Sequence, residues 1–483
     1  MPILSPALDP GQPTGLLLGG RFEQANADLA VRNPFTGEVV ATVAEGTEAD
    51  IDQAVAEALR HLPPPPAAER AAVLERAARL VAERAETFAR TICLEAGKPL
   101  AQARVEAARA VDTLTFSAVE ARSLAGEIVP MEGSAAGAGH LGLVLREPVG
   151  VVGAISPFNF PLNLVCHKVA PAIAAGCPVV LKPASATPLS ALLLARTLRE
   201  AGLPDGFLAV VPGGGGTVGN ALVDHPDVPL ISFTGSPSVG WGIRGRQPRK
   251  EVELELGNST PVIVEADADL EAAAAAVARS AFTHAGQSCI SVQRVYVQRA
   301  AYARVRELLV PAVEALVLGD PMDEKTDVGP VIDEDARDRI LDWIEEARRG
   351  GAETLTGGDV RDGLIRPTVL AGIDPAMKVS CEELFGPVVG LAPYETIDEA
   401  IDLANSSPFG LQAGVFTGRV DAALGWARRL RFGGVTVNET PTFRADQMPY
   451  GGVKDSGNTR EGPRFAVRSM TESKLVIVRL PGG

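Results

Sequence analysis
An α/β fold built on parallel sheets is predicted by three features of the sequence. Runs of continuously apolar residues at 149–155, 178–182, 207–211 and 230–233 are separated by segments of helix length. Strands that are apolar on both faces and alternate with helices belong to sheets covered on both sides. A second alternation of the same kind runs from Pro261 to about Asn438. The 483 residues suffice for two or three domains around a large buried core.

Residues 1–48 read as short strands joined by turns, and in Val31-Arg-Asn-Pro-Phe-Thr-Gly37 the Asn-Pro and Thr-Gly pairs mark a hairpin. From 49 to about 119 apolar residues recur at helical spacing, interrupted by the prolines at 63–66. Residues 124–147 are Gly-rich and polar, which suggests a hairpin that leaves the main body. The first α/β alternation then supplies a helix from about Leu162, another over 190–201, and a last strand at 251–255. The second supplies helices near 269–285, 300–316 and 333–349. Residues 474–479 read as a lone strand, which must pair with something.

Composition excludes several functions. Aromatics are 5% of residues against 46% hydrophobic, so the core is built from Ala, Val and Leu. A net charge of −15 argues against nucleic acid and anionic membranes, which demand a basic face. No window reaches the roughly 18 unbroken apolar residues of a membrane span. Residues 1–6 lack the basic and apolar regions of a secretory signal. The five cysteines have neither disulfide nor zinc spacing, so no metal is expected and a reducing cytoplasm is the simplest setting.

Several residues carry candidate chemistry. Cys289 stands in His284-Ala-Gly-Gln-Ser-Cys-Ile-Ser-Val292, past a Gly-containing turn that follows an alanine-rich helix. That setting suits an activated thiol, with a buried thiol as the alternative. Glu255 ends a strand-like run in Leu254-Glu-Leu-Gly257 and is a candidate general base. Asn159, in Phe158-Asn-Phe-Pro161, is either an N-cap or an amide aimed at an oxyanion; locally the cap is the simpler reading. Gly214-Gly-Gly216-Thr-Val-Gly219 fits G-x-G-x-x-G, but four consecutive glycines satisfy many patterns, and it reads as a tight turn near a cofactor. Thr234-Gly235-Ser236 is the better phosphate site, since small residues let backbone N–H groups approach. Lys182 ends its strand where ligands collect, and is either solvated or a ribose or phosphate contact.

Taken in order, these segments resemble the NAD(P)-dependent aldehyde dehydrogenases. The matching stretches are Pro157-Phe-Asn-Phe-Pro161, Leu181-Lys-Pro-Ala184, Phe233-Thr-Gly-Ser236, Leu254-Glu-Leu-Gly257, Gly286-Gln-Ser-Cys289, Glu382-Glu-Leu-Phe-Gly-Pro387 and Pro449-Tyr-Gly-Gly-Val-Lys-Asp-Ser-Gly457. The resemblance spans nearly the whole chain. It implies an aldehyde dehydrogenase-like fold with a Rossmann-like cofactor domain (1–123 and 147–256), an α/β catalytic domain (257–455) and a small β oligomerisation element (124–146 and 456–483). It also implies oxidation of an aldehyde to the acid, through a cysteine thiohemiacetal and thioester, by a homodimer or homotetramer. Cys289 becomes the nucleophile and Glu255 the base that hydrolyses the thioester. Asn159 becomes the oxyanion donor, with the Cys289 N–H, which reverses the cap reading. Lys168 resembles a lysine that tunes the site's charge, a solvated or ion-paired lysine being the alternative. Cofactor contacts are implied at Ile155, Ser156, Lys182, Ser185, Gly215, Gly235, Ser236, Glu383 and Phe385.

Three departures qualify the resemblance. Ser185 stands where NAD-preferring relatives often place Glu; without a carboxylate to repel a 2′-phosphate, both NAD and NADP are admissible. The stretch from Ser236 to Glu255 is short and carries Pro248, so its helix is expected to be cut short. Asn258 replaces a glycine. The substrate tunnel is expected to hold Phe160, Asn163, Leu164, His167, Ser288, Ile290, Arg444 and Tyr450. Arg444 invites an anionic substrate through paired hydrogen bonds, with an ion pair to Asp446 or Glu439 as the alternative. The segments around Cys289 and Arg444 are similar to the branch containing lactaldehyde, glycolaldehyde and phosphonoformaldehyde dehydrogenases. That similarity implies a small polar or anionic aldehyde. A succinate-semialdehyde-type enzyme or a non-catalytic relative are the alternatives.

Overall fold
The computed structural model describes residues 4–481; the expectations for 1–3 and 482–483 lie outside these. Two seven-stranded sheets organise the chain. In the first, Glu251–Glu255, Leu230–Thr234, Val152–Ile155, Val179–Lys182 and Leu208–Val210 lie side by side and parallel. Leu16–Leu18 and Arg21–Glu23 extend this sheet antiparallel. Val152–Ile155 and Val179–Lys182 are buried at every residue, as a strand covered on both faces must be. From Val152–Ile155 the chain builds outward in one direction, then returns to the opposite flank at Leu230–Thr234. The crevice at the carboxyl ends of these two strands is a topological switch point, where open α/β sheets bind ligands.

The second sheet has the order Glu353–Thr356, Thr368–Ala371, Val388–Tyr394, Val292–Gln298, Thr260–Val264, Gln412–Phe416, Gly434–Val437, with only the first strand antiparallel. Each sheet has its own apolar core. An isolated antiparallel bridge from Glu255 to Gly457 ties the edge of the first sheet to the segment beyond the second.

Leu100–Ser123 packs on Ala67–Glu83, Ala85–Ala96 and Asn163–Ala175. Its buried face is built largely from alanines (103, 107, 110, 118 and 121), whose helical spacing gives a smooth stripe for close approach. Two helices of the first sheet lack a side-chain cap of their own and receive one from this layer. Glu106 accepts from the N–H groups of Leu162 and Asn163, at 3.0 and 3.1 Å, and so caps Asn163–Ala175. Glu95 accepts from Leu189 and Ser190 at the start of Leu189–Glu200. The positive end of each helix is thus met by a buried carboxylate supplied from another helix. Lys98 completes the first arrangement as the buried ion-pair partner of Glu106.

The final strand finds the partner it was expected to need: Thr471–Arg479 pairs along its whole length with His140–Pro148 of the same chain, which in turn pairs with Glu127–Val129, making a three-stranded arm. The helix before it, Pro463–Ser469, packs on Leu100–Ser123 and Asn163–Ala175. The helix after Ser236 is short, as Pro248 and three glycines require, spanning Pro237–Arg246.

Replacing Glu106 by alanine strips two buried N–H groups of their acceptor and leaves Lys98 as an unpaired buried charge. Chemical denaturation of Glu106→Ala is expected to show a loss of about 3–5 kcal/mol. Arg104→Ala, which removes two exposed ion pairs (to Glu86 and Glu324) on the same helix, is expected to shift the midpoint far less.

Candidate active site
The loop that carries Cys289 is held by its backbone. After Leu270–Phe282 the chain passes through His284, Ala285 and Gly286 with φ of 50°, 52° and 73°, three left-handed residues in succession. Such a run is strained at its two non-glycine positions and persists only when its surroundings enforce it. The enforcing contact is at Gly286, where a Cβ would lie 2.0 Å from the carbonyl oxygen of Gly386. Gln287 anchors the next turn of the chain through its side chain: Oε1 accepts from Ile332 N at 2.8 Å and Nε2 donates to His284 O at 3.1 Å.

The carbonyl of Gln287 accepts from Asn159 Nδ2 at 2.9 Å. An amide nitrogen has two hydrogens, so one remains to meet an oxyanion. The helix beyond Asn159 starts only at Asn163 with Leu162 as cap residue, which excludes the N-cap role. Cys289 Sγ lies 2.9 Å from Tyr450 Oη, and burial pushes its thiol up to about 12.

Glu255 ends its strand buried, and neither carboxylate oxygen has a hydrogen-bond partner among the described residues. Burial first, and then the charge of Glu461, hold it well above the usual carboxylate range. Glu461 is a buried acid at the site that the sequence does not single out, since Arg460-Glu-Gly462 carries no local signal. Its Oε2 accepts from Arg444 Nη2 at 2.8 Å and its Oε1 lies 3.6 Å from Lys168 Nζ. Burial opposes its ionisation, but Lys168 and Arg444 prevail and hold Glu461 low. Lys168 is therefore buried and ion-paired, and also donates to Ser232 Oγ at 3.2 Å.

A cavity of about 440 Å³ opens beside Cys289. Phe160, Asn163, Leu164, Ser288, Ile290, Arg444 and Tyr450 line it, together with Lys98, Arg109 and Arg279. His167 does not: its ring is fully buried and turned to Asp446, with Nε2 2.9 Å from Oδ1. Asp446 also accepts from Arg109 Nε and Nη2, at 3.1 and 2.8 Å, and from Asn163 Nδ2 at 3.0 Å. Burial opposes that much negative charge, yet His167 and Arg109 hold its carboxyl far below the usual range. Arg444 faces the cavity and is ion-paired at once, but to Glu461 and not to Asp446 or Glu439. Its Nε is buried and has no partner among the described residues.

A second cavity, of about 510 Å³, occupies the switch point of the first sheet. Ile155, Ser156, Lys182, Gly215 and Ser236 line it, with Thr234 and Arg246. Ser156 Oγ and Thr234 Oγ1 are buried there without partners among the described residues. Ser236 precedes a helix start whose free N–H groups suit a phosphate, so these residues fit a dinucleotide. Lys182 Nζ donates to Pro183 O at 3.0 Å, and burial lowers it to about 8. Two expected contacts are not on this wall. Ser185 turns its hydroxyl to Gly213 O at 2.8 Å, and Gly235 abuts the Phe233 ring. Glu383 and Phe385 face a separate narrow cleft shared with Asn258, Gly286 and Ser288. Asn258 N donates to Glu383 at 3.1 Å, and burial pushes that carboxyl up to about 7.

A thiol two residues beyond the carbonyl that Asn159 holds, a buried carboxylate that bears on its charge, and a dinucleotide-sized crevice at a sheet switch point together define a cysteine-dependent oxidoreductase. Residues 22–476 match the aldehyde dehydrogenase family, and the chain belongs to it. It is an enzyme that oxidises aldehydes with NAD or NADP. The chain is 44% identical to a 3-sulfolactaldehyde dehydrogenase of Priestia aryabhattai over 96% of this chain and 98% of that one. Among solved structures it is similar to aldehyde dehydrogenase 21 of Physcomitrella patens in complex with the reaction product succinate (39% identity, TM-score 0.94, 97% and 98% of the two chains). It is also similar to a glyceraldehyde-3-phosphate dehydrogenase of Methanocaldococcus jannaschii complexed with NADP (36%, TM-score 0.90, 94% and 100%).

With the thiol pushed up by burial, its thiolate becomes populated only as pH rises. In the protein without cofactor, alkylation of Cys289 is expected to accelerate about tenfold per pH unit between about pH 7 and pH 10. A plateau inside that range would contradict the burial of the thiol.

Proposed function
We propose that this enzyme oxidises a short aldehyde bearing an anionic or hydroxyl group, of the lactaldehyde, glycolaldehyde or phosphonoformaldehyde kind, to its carboxylic acid. One observation carries the reading: the cavity beside Cys289 is walled by Lys98, Arg109 and Arg444, with Arg279 exposed, against the single acid Glu106, in a chain of net charge −15. Guanidinium groups bind carboxylate, sulfonate or phosphonate through directed donors. Asn163 adds an amide suited to a hydroxyl. The relationship to a 3-sulfolactaldehyde dehydrogenase supports the same class.

The residues divide the reaction between them. Cys289 Sγ attacks the carbonyl carbon. Asn159 Nδ2 and the Cys289 N–H meet the oxyanion that forms. When bound, NAD(P) accepts the hydride. Glu255 takes a proton from the water that attacks the resulting thioester, releasing the acid and restoring the thiol. Ile155, Ser156, Lys182, Gly215 and Ser236 hold the adenosine and pyrophosphate portion, and Glu383 and Phe385 the nicotinamide ribose.

A succinate-semialdehyde-type substrate is the second reading, favoured by the same guanidinium pair and by the moss relative solved with succinate. The five free thiols fit a reducing cytoplasm. The exposed Ile128, Leu145, Leu475 and Ile477 on the three-stranded arm fit a dimer or tetramer paired through it.

Kinetics across short aldehydes bearing sulfonate, carboxylate, phosphonate or hydroxyl groups test the substrate class. In Arg109→Gln, kcat/KM for the anionic members is expected to fall about 10–100-fold, with the hydroxyl-bearing one little affected. Faster turnover of long alkyl aldehydes than of any short polar one would refute the proposal. In Glu255→Gln, one equivalent of reduced cofactor is expected to appear in a burst, followed by turnover slowed about 10²–10⁴-fold. Because Glu255 is held high, wild-type deacylation speeds up as pH rises, and the variant loses that dependence.

A further inference from the structure
We propose that Tyr450 is itself a catalytic residue: its phenol O–H, set by Arg444 on the ring face, donates a hydrogen bond to the Cys289 thiolate. This rests on Cys289 as the nucleophile and gives Tyr450 a task beyond lining the cavity. Oη lies 2.9 Å from Sγ, and Cys289 is its hydrogen-bond partner in the structure. With a neutral thiol either atom can donate. Once the thiol ionises, only the phenol has a proton to give, so the contact selects for the reactive form.

Three observations make that donor dependable. Tyr450 is 3% exposed, so water does not compete for its hydroxyl. Burial also holds the phenol well above its ordinary range, which keeps it protonated wherever the enzyme works. And the guanidinium of Arg444 lies 3.8 Å from the ring centroid, anchored in turn by Glu461 at 2.8 Å. A cation on the ring face fixes the plane of the phenol and draws electron density from it, which strengthens O–H as a donor.

The charges around the thiol make such a donor necessary. Glu383 and Glu255 both oppose a thiolate, while Arg444 favours it. The same Arg444 and Glu255, with Cys289, face Tyr450. Tyr450 is the hydrogen-bonding side chain that reaches Sγ among the described residues. In the reaction the phenol keeps its proton. The thiol proton leaves to water or to Glu255, and the freed sulfur pair forms the bond to the carbonyl carbon.

Tyr450→Phe removes the hydroxyl and keeps the ring. Iodoacetamide alkylation of the Cys289 peptide, without aldehyde or dinucleotide, reads the thiolate directly, with half-buried Cys381 as internal reference. The rate at fixed pH is expected to fall about tenfold, with the pH profile displaced upward by about one unit. Arg444→Gln should give a smaller fall in the same direction. An unchanged or faster rate in Tyr450→Phe overturns the proposal. If that variant shows no cooperative melt, 3-fluorotyrosine at position 450 decides, since it keeps the ring and sharpens the O–H as a donor: a faster rate at Cys289 but not Cys381 supports the proposal, and an unchanged or slower rate overturns it. No substrate enters this assay, so a wrong assignment of the aldehyde leaves its outcome intact.

Discussion

Glu461 and the two cations it holds govern the geometry of the site. A buried carboxylate is tolerated only with close partners, and Lys168 and Arg444 are those partners. Because Arg444 is fixed, the ring of Tyr450 is fixed beneath it, and with it the hydroxyl that touches Cys289. Because Glu461 keeps its charge, Glu255 is discouraged from taking one, and so is kept a weak acid whose conjugate base is a strong acceptor. A single ionised group therefore fixes the residue beside Cys289 and adds to the burial that holds Glu255 high.

That arrangement requires the two sheets to stay in register. Glu255 lies at the carboxyl end of one sheet's edge strand, while Cys289 precedes a strand in the middle of the other. The bridge at Gly457 ties Glu255 to the segment beyond the second sheet, and the close approach of Gly286 to Gly386 fixes the Cys289 loop within that second sheet. Gly457 has φ 133°, and a Cβ there would lie 2.1 Å from Leu254 O, so this close approach excludes any larger residue. Capping of Asn163–Ala175 by Glu106 then positions the helix that presents Asn163 to the cavity and Lys168 to Glu461.

The two alternations of strand and helix are readable because each buried parallel strand is a largely apolar run, and Cys289 and Glu255, the proposed nucleophile and base, stand in ordered motifs. The features that escape a sequence reading are set by tertiary contact. Glu461 sits in a stretch with no motif of its own, and its importance arises only when folding brings Lys168 and Arg444 to it. The family resemblance puts both His167 and Asn163 in the tunnel, but Asp446 draws the imidazole behind the wall. The resemblance puts Ser185 at the ribose, and only folding shows that its hydroxyl also donates to Gly213 O. The final strand can be recognised as needing a partner, yet its pairing with His140–Pro148 depends on a register that local sequence does not encode.

The cations of the aldehyde cavity are not a free positive field. Lys98 is paired with Glu106, Arg109 with Asp446 and Arg444 with Glu461, and Arg279 is the one left exposed to solvent. On the proposed reading, an incoming anion therefore gains little from net charge alone and must instead be met by the guanidinium hydrogens those pairs leave over. Directed donors act over hydrogen-bond distances, whereas a net field acts over a Debye length. Selection then depends on where the substrate places its polar end relative to the carbonyl carbon held at Cys289.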